Sequence, residues 1–123
     1  MQLEVSPRFA DQVLVLDCTG RMVASEDLSS FQSFMKQLVL GAKAVVVNLE
    51  GVNYMDSGGL SVLVGIYTSA KLHGGTVKLA NLKPAIRDLL RITKLLQVFE
   101  VFGGVDDAVN DFRKAAATPA SPS

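Results

Sequence analysis

Residues 44–61 read AVVVNLEGVNYMDSGGLS. The opening run, 44–49, is apolar apart from Asn48 and does not alternate. Such a run suits a β-strand covered on both faces, as in a parallel sheet with helices on each side. An aspartate, a serine and two glycines then lead into LSVLVGIYTSAKLH. There Leu60, Leu63, Tyr67 and Ala70 recur at helical spacing, and Val62 and Ile66 widen the apolar face. The stretch therefore reads as a strand ending near Leu49, a loop, and a well-buried helix starting near Gly58. Gly74 and Gly75 stop that helix.

The same reading extends outward. Upstream, LEVS (3–6) and VLVLDC (13–18) are short strands, and PRFADQ (7–12) between them reads as a turn, so the two should pair as a hairpin. Gly20 should break the second strand. Ser25 suits an N-cap, with Glu26 and Asp27 at the positive end of a helix. Leu28, Phe31, Met35, Leu38 and Val39 give that helix its inner face, and Gly41 ends it. Downstream, TVKLA (76–80) alternates as a strand. Pro84 suits the first turn of a helix whose inner face is Ile86, Leu89 and Leu90. QVFEVF (97–102) is a short last strand. Asp106 and Asp107 suit the start of a final helix anchored by Val109 and Phe112. The expected fold is α/β: a mixed, mainly parallel sheet of four or five strands, about four helices, and an N-terminal β-hairpin. Residues 1–114 should form one domain and 115–123 a flexible tail, since AAATPASPS is small, polar and proline-bearing.

Composition narrows the function classes. Of 123 residues, 49% are apolar and 20% charged, and twelve basic residues balance twelve acidic ones. A net charge of zero gives no support for nucleic acid or an anionic membrane as a direct partner. The single cysteine, Cys18, lies in an apolar run and reads as core packing. With one histidine, His73, it makes a poor start for a zinc site, so neither metal nor cofactor is expected. The start shows no secretory signal, and no segment approaches the ~20 apolar residues of a membrane span. A cytoplasmic location is expected.

Ser57 carries the functional question, and three readings compete. As a nucleophile it would need a base, yet His73 lies at the far end of the same predicted helix, over ~20 Å away. The echo of a protease GDSGG is shallow, because Met55 replaces the leading glycine and the surrounding pattern is α/β. No phosphate-cradling GxxxxGK[ST] or GxGxxG is present. No catalytic residue is expected, and His73, Asp106 and Asp107 read as partners of helix dipoles. The second reading makes Ser57 the cap of the helix, bonding a free N–H. The third makes it a phosphate acceptor, since free N–H groups at a helix N-terminus favour anions. Gly58 and Gly59, lacking side chains, would leave the serine open to a large partner.

Taken together, VVVNLEGVNYMDSGGLSVLVG, with DSGGL at its centre, GGTVKLANL and LLRITKLLQVF after it, resembles the STAS family of sulfate transporters and anti-sigma factor antagonists. The resemblance runs from about residue 3 to 113. It implies a small mixed sheet with packed helices and a protein-binding switch rather than an enzyme. In that scheme the partner is an anti-sigma factor with serine kinase activity. It is held while Ser57 is bare, released when Ser57 is phosphorylated, and recovered after a phosphatase acts. Asp56 would help to position Ser57 or its partner, and Gly58, Gly59 and Leu60 would shape the docking surface. Arg21, Met22, Val23, Asn53 and Met55 would complete it, with Val23 standing where members often carry an acid. The alternative is a non-switching STAS interaction module in a larger signalling or lipid-transport assembly, with Ser57 only a cap. A monomer or weak dimer is compatible with either.

Overall fold

The computed structural model describes residues 3–23 and 28–117. Its elements run β1 (Leu3–Ala10), β2 (Val13–Met22), α1 (Leu28–Val39), β3 (Ala44–Met55), α2 (Ser57–Leu72), β4 (Thr76–Ala80), α3 (Pro84–Ile92), a 3₁₀ turn (Leu95–Gln97), β5 (Glu100–Phe102) and α4 (Val105–Ala117). The five strands lie in the order β1-β2-β3-β4-β5. β1 pairs antiparallel with β2, and every other neighbouring pair is parallel. The mixed sheet with an antiparallel hairpin at one edge is thus the fold that the sequence pattern implied.

β1, β2 and β3 are longer than expected, β4 matches, and β5 is shorter than the expected 97–102, because Gln97 closes a 3₁₀ turn before the strand starts at Glu100. PRFA belongs to β1, so only Asp11 and Gln12 form the turn, both at positive φ (51° and 71°). Positive φ at both central positions marks the tight hairpin turn whose twist matches that of the strands. In such a hairpin Ala10 and Val13 exchange hydrogen bonds. Counting back by twos, Pro7 falls where its nitrogen points to the free edge. A proline there costs no ladder bond and discourages edge-to-edge pairing. β2 also passes through Gly20 (φ 115°) to Met22, with register shifts between Asp17 and Thr19 and between Gly20 and Arg21. β3 likewise runs on to Met55. The proposed N-cap Ser25, with Glu26 and Asp27, lies outside the described residues. So do the side chains of Leu28 and Phe31. α4 continues to Ala117, three residues past the expected boundary at 114.

Two cores flank the sheet. The larger holds Leu14, Leu16 and Cys18 of β2, the odd-numbered valines of β3, Met35 and Val39 of α1, Val62, Leu63 and Ile66 of α2, and Ile86 and Leu90 of α3. Tyr67 packs edge-on against Phe99, ring centres 5.2 Å apart. On the other face Val13, Val15, Val46 and Ala80 meet Ala108 and Val109 of α4. This second layer explains why β4, read as alternating, is buried from Val77 through Ala80. Lys78 is held there between Glu100 (3.0 Å) and Asp111, with its ammonium over the rings of Phe102 and Phe112. Burial pulls its pKa down, but the bonds to Asp111 and Glu100 outweigh this and hold it above the usual lysine value. Burial also pushes the Cys18 thiol up to about 12, an inert group packed in the core.

α2 sits close on the sheet at its first turn. A Cβ added to Gly59 would lie 2.2 Å from the Met22 carbonyl oxygen and 2.7 Å from Met55 Cγ. In an open helix Gly→Ala gains up to ~1 kcal/mol. Here the backbone of β2 blocks the methyl, so the sign reverses. Gly59→Ala should destabilise by about 1–3 kcal/mol, read as a lower midpoint in urea unfolding; an unchanged or raised midpoint would show that the helix can lift off the strand freely.

Candidate functional site

At the carboxyl edge of the sheet, β2 and β3 end side by side, with Met22 opposite Met55 and Arg21 opposite Tyr54. The Asp56 N–H donates to the Met22 carbonyl (3.2 Å), which ties the start of the loop to β2. Asp56 is extended (φ −117°, ψ −169°), and its Oδ1 accepts from the N–H groups of Gly58 (2.9 Å) and Gly59 (3.1 Å). Asp56 is therefore the N-cap of α2, and Ser57 occupies the first helical position. This corrects the cap reading of Ser57. Its side chain is exposed, and its hydroxyl makes no hydrogen bond with the described residues. Its carbonyl accepts from Ser61 Oγ (3.1 Å).

The cap also revises the expected phosphate chemistry. The amides of Gly58 and Gly59, the donors an anion would seek first, are already taken by a carboxylate. A phosphate on Ser57 would stand next to that carboxylate and project into solvent.

Of the residues expected at a docking surface, Arg21, Asn53 and Ser57 are exposed, and Val23, Asp56 and Leu60 are half-buried. Met22 (1% exposed) and Met55 (6%) point into the large core. Gly58 and Gly59 are buried as well. These four shape the surface from beneath rather than offering side chains to a partner, because β2 and α2 close over them. Gly59 in particular serves close helix–strand packing rather than openness around Ser57.

Sequence reasoning missed Tyr54. It is 48% exposed, and the Arg21 guanidinium lies 5.0 Å from its ring centre. Tyr54, Asn53 and Met55 form one wall of a groove of about 200 Å³, and Ala85, Ile86 and Leu89 of α3 form the other. The signal was the parallel register of β2 with β3, which pairs residues 21 and 54; ending these strands at Cys18 and Leu49 hid it.

The other reactive groups stand apart. His73 follows the last turn of α2, its ring nitrogen Nδ1 2.8 Å from the Ser69 carbonyl oxygen. Sixteen helical residues put about 24 Å between it and Ser57. Asp106 and Asp107 lie in the first turn of α4. Among the described residues no three His, Cys, Asp or Glu gather as metal ligands, and no helix is long and apolar enough to cross a membrane.

Known proteins share this fold. An anti-sigma-B factor antagonist of Bacillus subtilis is 42% identical over 53 residues, which is 43% of this chain and 49% of that protein. A STAS-domain containing protein of Pseudomonas aeruginosa is 26% identical over 104 residues, covering 82% of this chain and 99% of its own. Among solved structures, the Bacillus anti-sigma factor antagonist SpoIIAA in its unphosphorylated form superposes with a TM-score of 0.74 at 15% identity, over 90% of this chain and 97% of that one. SpoIIAA in its phosphorylated form gives 0.68 at 16%, over 89% and 99%. The model of the STAS domain matches residues 4–108, from the first strand into α4. The chain belongs to the STAS domain family.

Proposed function

We propose that this protein is an anti-sigma factor antagonist whose grip on its partner is switched at Ser57. Unphosphorylated, it binds an anti-sigma factor that is also a serine kinase; phosphorylated, it lets go, and a phosphatase restores it. The observation that carries this reading is the exposed Ser57 hydroxyl, free of any capping duty, at the first turn of a helix anchored to the sheet. The names of the relatives agree with it, and SpoIIAA is known in both phosphorylation states.

The energetics are favourable for a switch that leaves the fold alone. Phosphate adds a charge of about −1.5 to −2. Set beside the Asp56 carboxylate, that charge would repel acidic groups of a docked partner and need rehydration at the interface. Each ~1.4 kcal/mol lost there weakens binding about tenfold. The Asp56 cap, two buried glycines and the Met22 contact remain in place, because none of them uses the Ser57 side chain.

The division of labour between Asp56 and Ser57 can be measured. Asp56→Ala should cost about 1 kcal/mol of stability, while Ser57→Ala should stay within about 0.5 kcal/mol of wild type, both by chemical denaturation. Equal losses would mean that Ser57 shares the cap. For the switch itself, wild type and Ser57→Asp are compared as baits in lysate of the native host, with retained proteins identified by mass spectrometry. Wild type should hold an ATP-binding serine kinase that phosphorylates Ser57, and Ser57→Asp should hold at least about tenfold less of it. Equal retention by both would instead mark a constitutive binding module.

A further inference from the structure

The groove beside Ser57 carries an inference about what the partner presents. Its lining is mainly apolar: the exposed Tyr54 and half-buried Leu89 stand over the buried Met55 and Ile86. Ile92, three residues beyond Leu89 on α3, is 69% exposed and extends the apolar surface. Both α2 and α3 begin at this end of the sheet, so the positive ends of two helix dipoles face it. At α3 the N-cap is Lys83, whose side chain forms no cap bond and instead donates to the Glu50 carbonyl.

Arg21 is the decisive group. Its guanidinium lies over the ring of Tyr54, a residue of the groove wall, and Arg21 is exposed. No carboxylate pairs with it among the described residues. Among the described residues, two acids near this end are otherwise engaged. Asp56 is bound to two amides, and Asp88 on α3 is paired with Arg91 at 3.2 Å. An apolar slot next to an arginine stacked on a tyrosine suits the centre of a protein interface, where Arg and Tyr are enriched.

We infer that this groove receives an acidic amphipathic segment of the partner, one apolar side chain entering between Tyr54 and Leu89 and a carboxylate meeting Arg21. The inference rests on the switch reading and deepens it. Phosphate at Ser57, two residues after the groove wall, places its negative charge beside the seat of that carboxylate, so release follows from repulsion of like charges.

The test uses the anti-sigma factor kinase recovered with wild type, purified and titrated without nucleotide against variants that fold normally by circular dichroism. Arg21→Glu should weaken binding by at least about tenfold, and Arg21→Lys, which keeps the charge, by much less. Wild-type affinity should fall as salt rises from roughly 50 to 300 mM, and Arg21→Glu should lose that dependence. Ala85→Phe, which fills the groove from an exposed position, should also weaken binding by about tenfold. Binding by Arg21→Glu and Ala85→Phe equal to wild type overturns the inference while leaving the switch reading intact. Tighter binding by Arg21→Glu shows a basic partner segment and overturns it too. If wild type retains no kinase, the switch reading fails and takes this inference with it.

Discussion

One Asp56 carboxylate oxygen closes the amides of Gly58 and Gly59, and one backbone bond ties Asp56 to Met22 at the end of β2. Everything that makes this edge of the sheet usable depends on that junction. It converts the end of β3 into the start of α2 within a single residue. It also satisfies the buried amides of Gly58 and Gly59, a cap whose loss costs about 1 kcal/mol. Gly59 then lets α2 approach the Met22 carbonyl more closely than any side chain would allow. The large core, which shares Val62, Leu63 and Ile66 with β2 and β3, is aligned by this first turn.

The consequence for function is a separation of roles between neighbours. A serine that capped its own helix would couple its modification to the stability of that helix. Here the cap is supplied one residue earlier, and Ser57 bears no structural load. The surface around it is correspondingly simple: Tyr54 carrying Arg21, an apolar slot against α3, and the positive ends of two helices. A charge added at Ser57 changes the potential of that surface without entering the core. On the opposite face the Lys78 clamp to Glu100 and Asp111 fixes α4, well away from these events.

Much of this was legible in the sequence, and what was missed has a common cause. The doubly covered strand at 44–49, the helical face of α2, the Pro84 start of α3 and the antiparallel hairpin all followed from periodicity and turn chemistry. The strand ends did not. Local signals stop β2 at Gly20 and β3 near Leu49, but pairing between parallel neighbours carries both onward to Met22 and Met55. That extension brings Tyr54 beside Arg21 and makes Asp56, not Ser57, the first residue able to cap. Likewise Lys78 looked like the polar side of an alternating strand until α4 supplied a second layer with its own carboxylates. The DSGGL motif lies where β3 turns into α2; that Asp56 caps the helix and Ser57 does not required the three-dimensional path of the backbone.

The central claim is that modification of Ser57 acts on the surface and leaves the Asp56 junction closed. Protein carrying phosphoserine at position 57 by genetic incorporation, compared with unmodified protein by amide hydrogen exchange, tests it most directly. The account predicts that Gly58 and Gly59 keep their protection from exchange, with the core of α2 unchanged. Loss of protection at those two amides, spreading into Val62 and Leu63, would show that the phosphate displaces Asp56 and that the switch works by opening the helix.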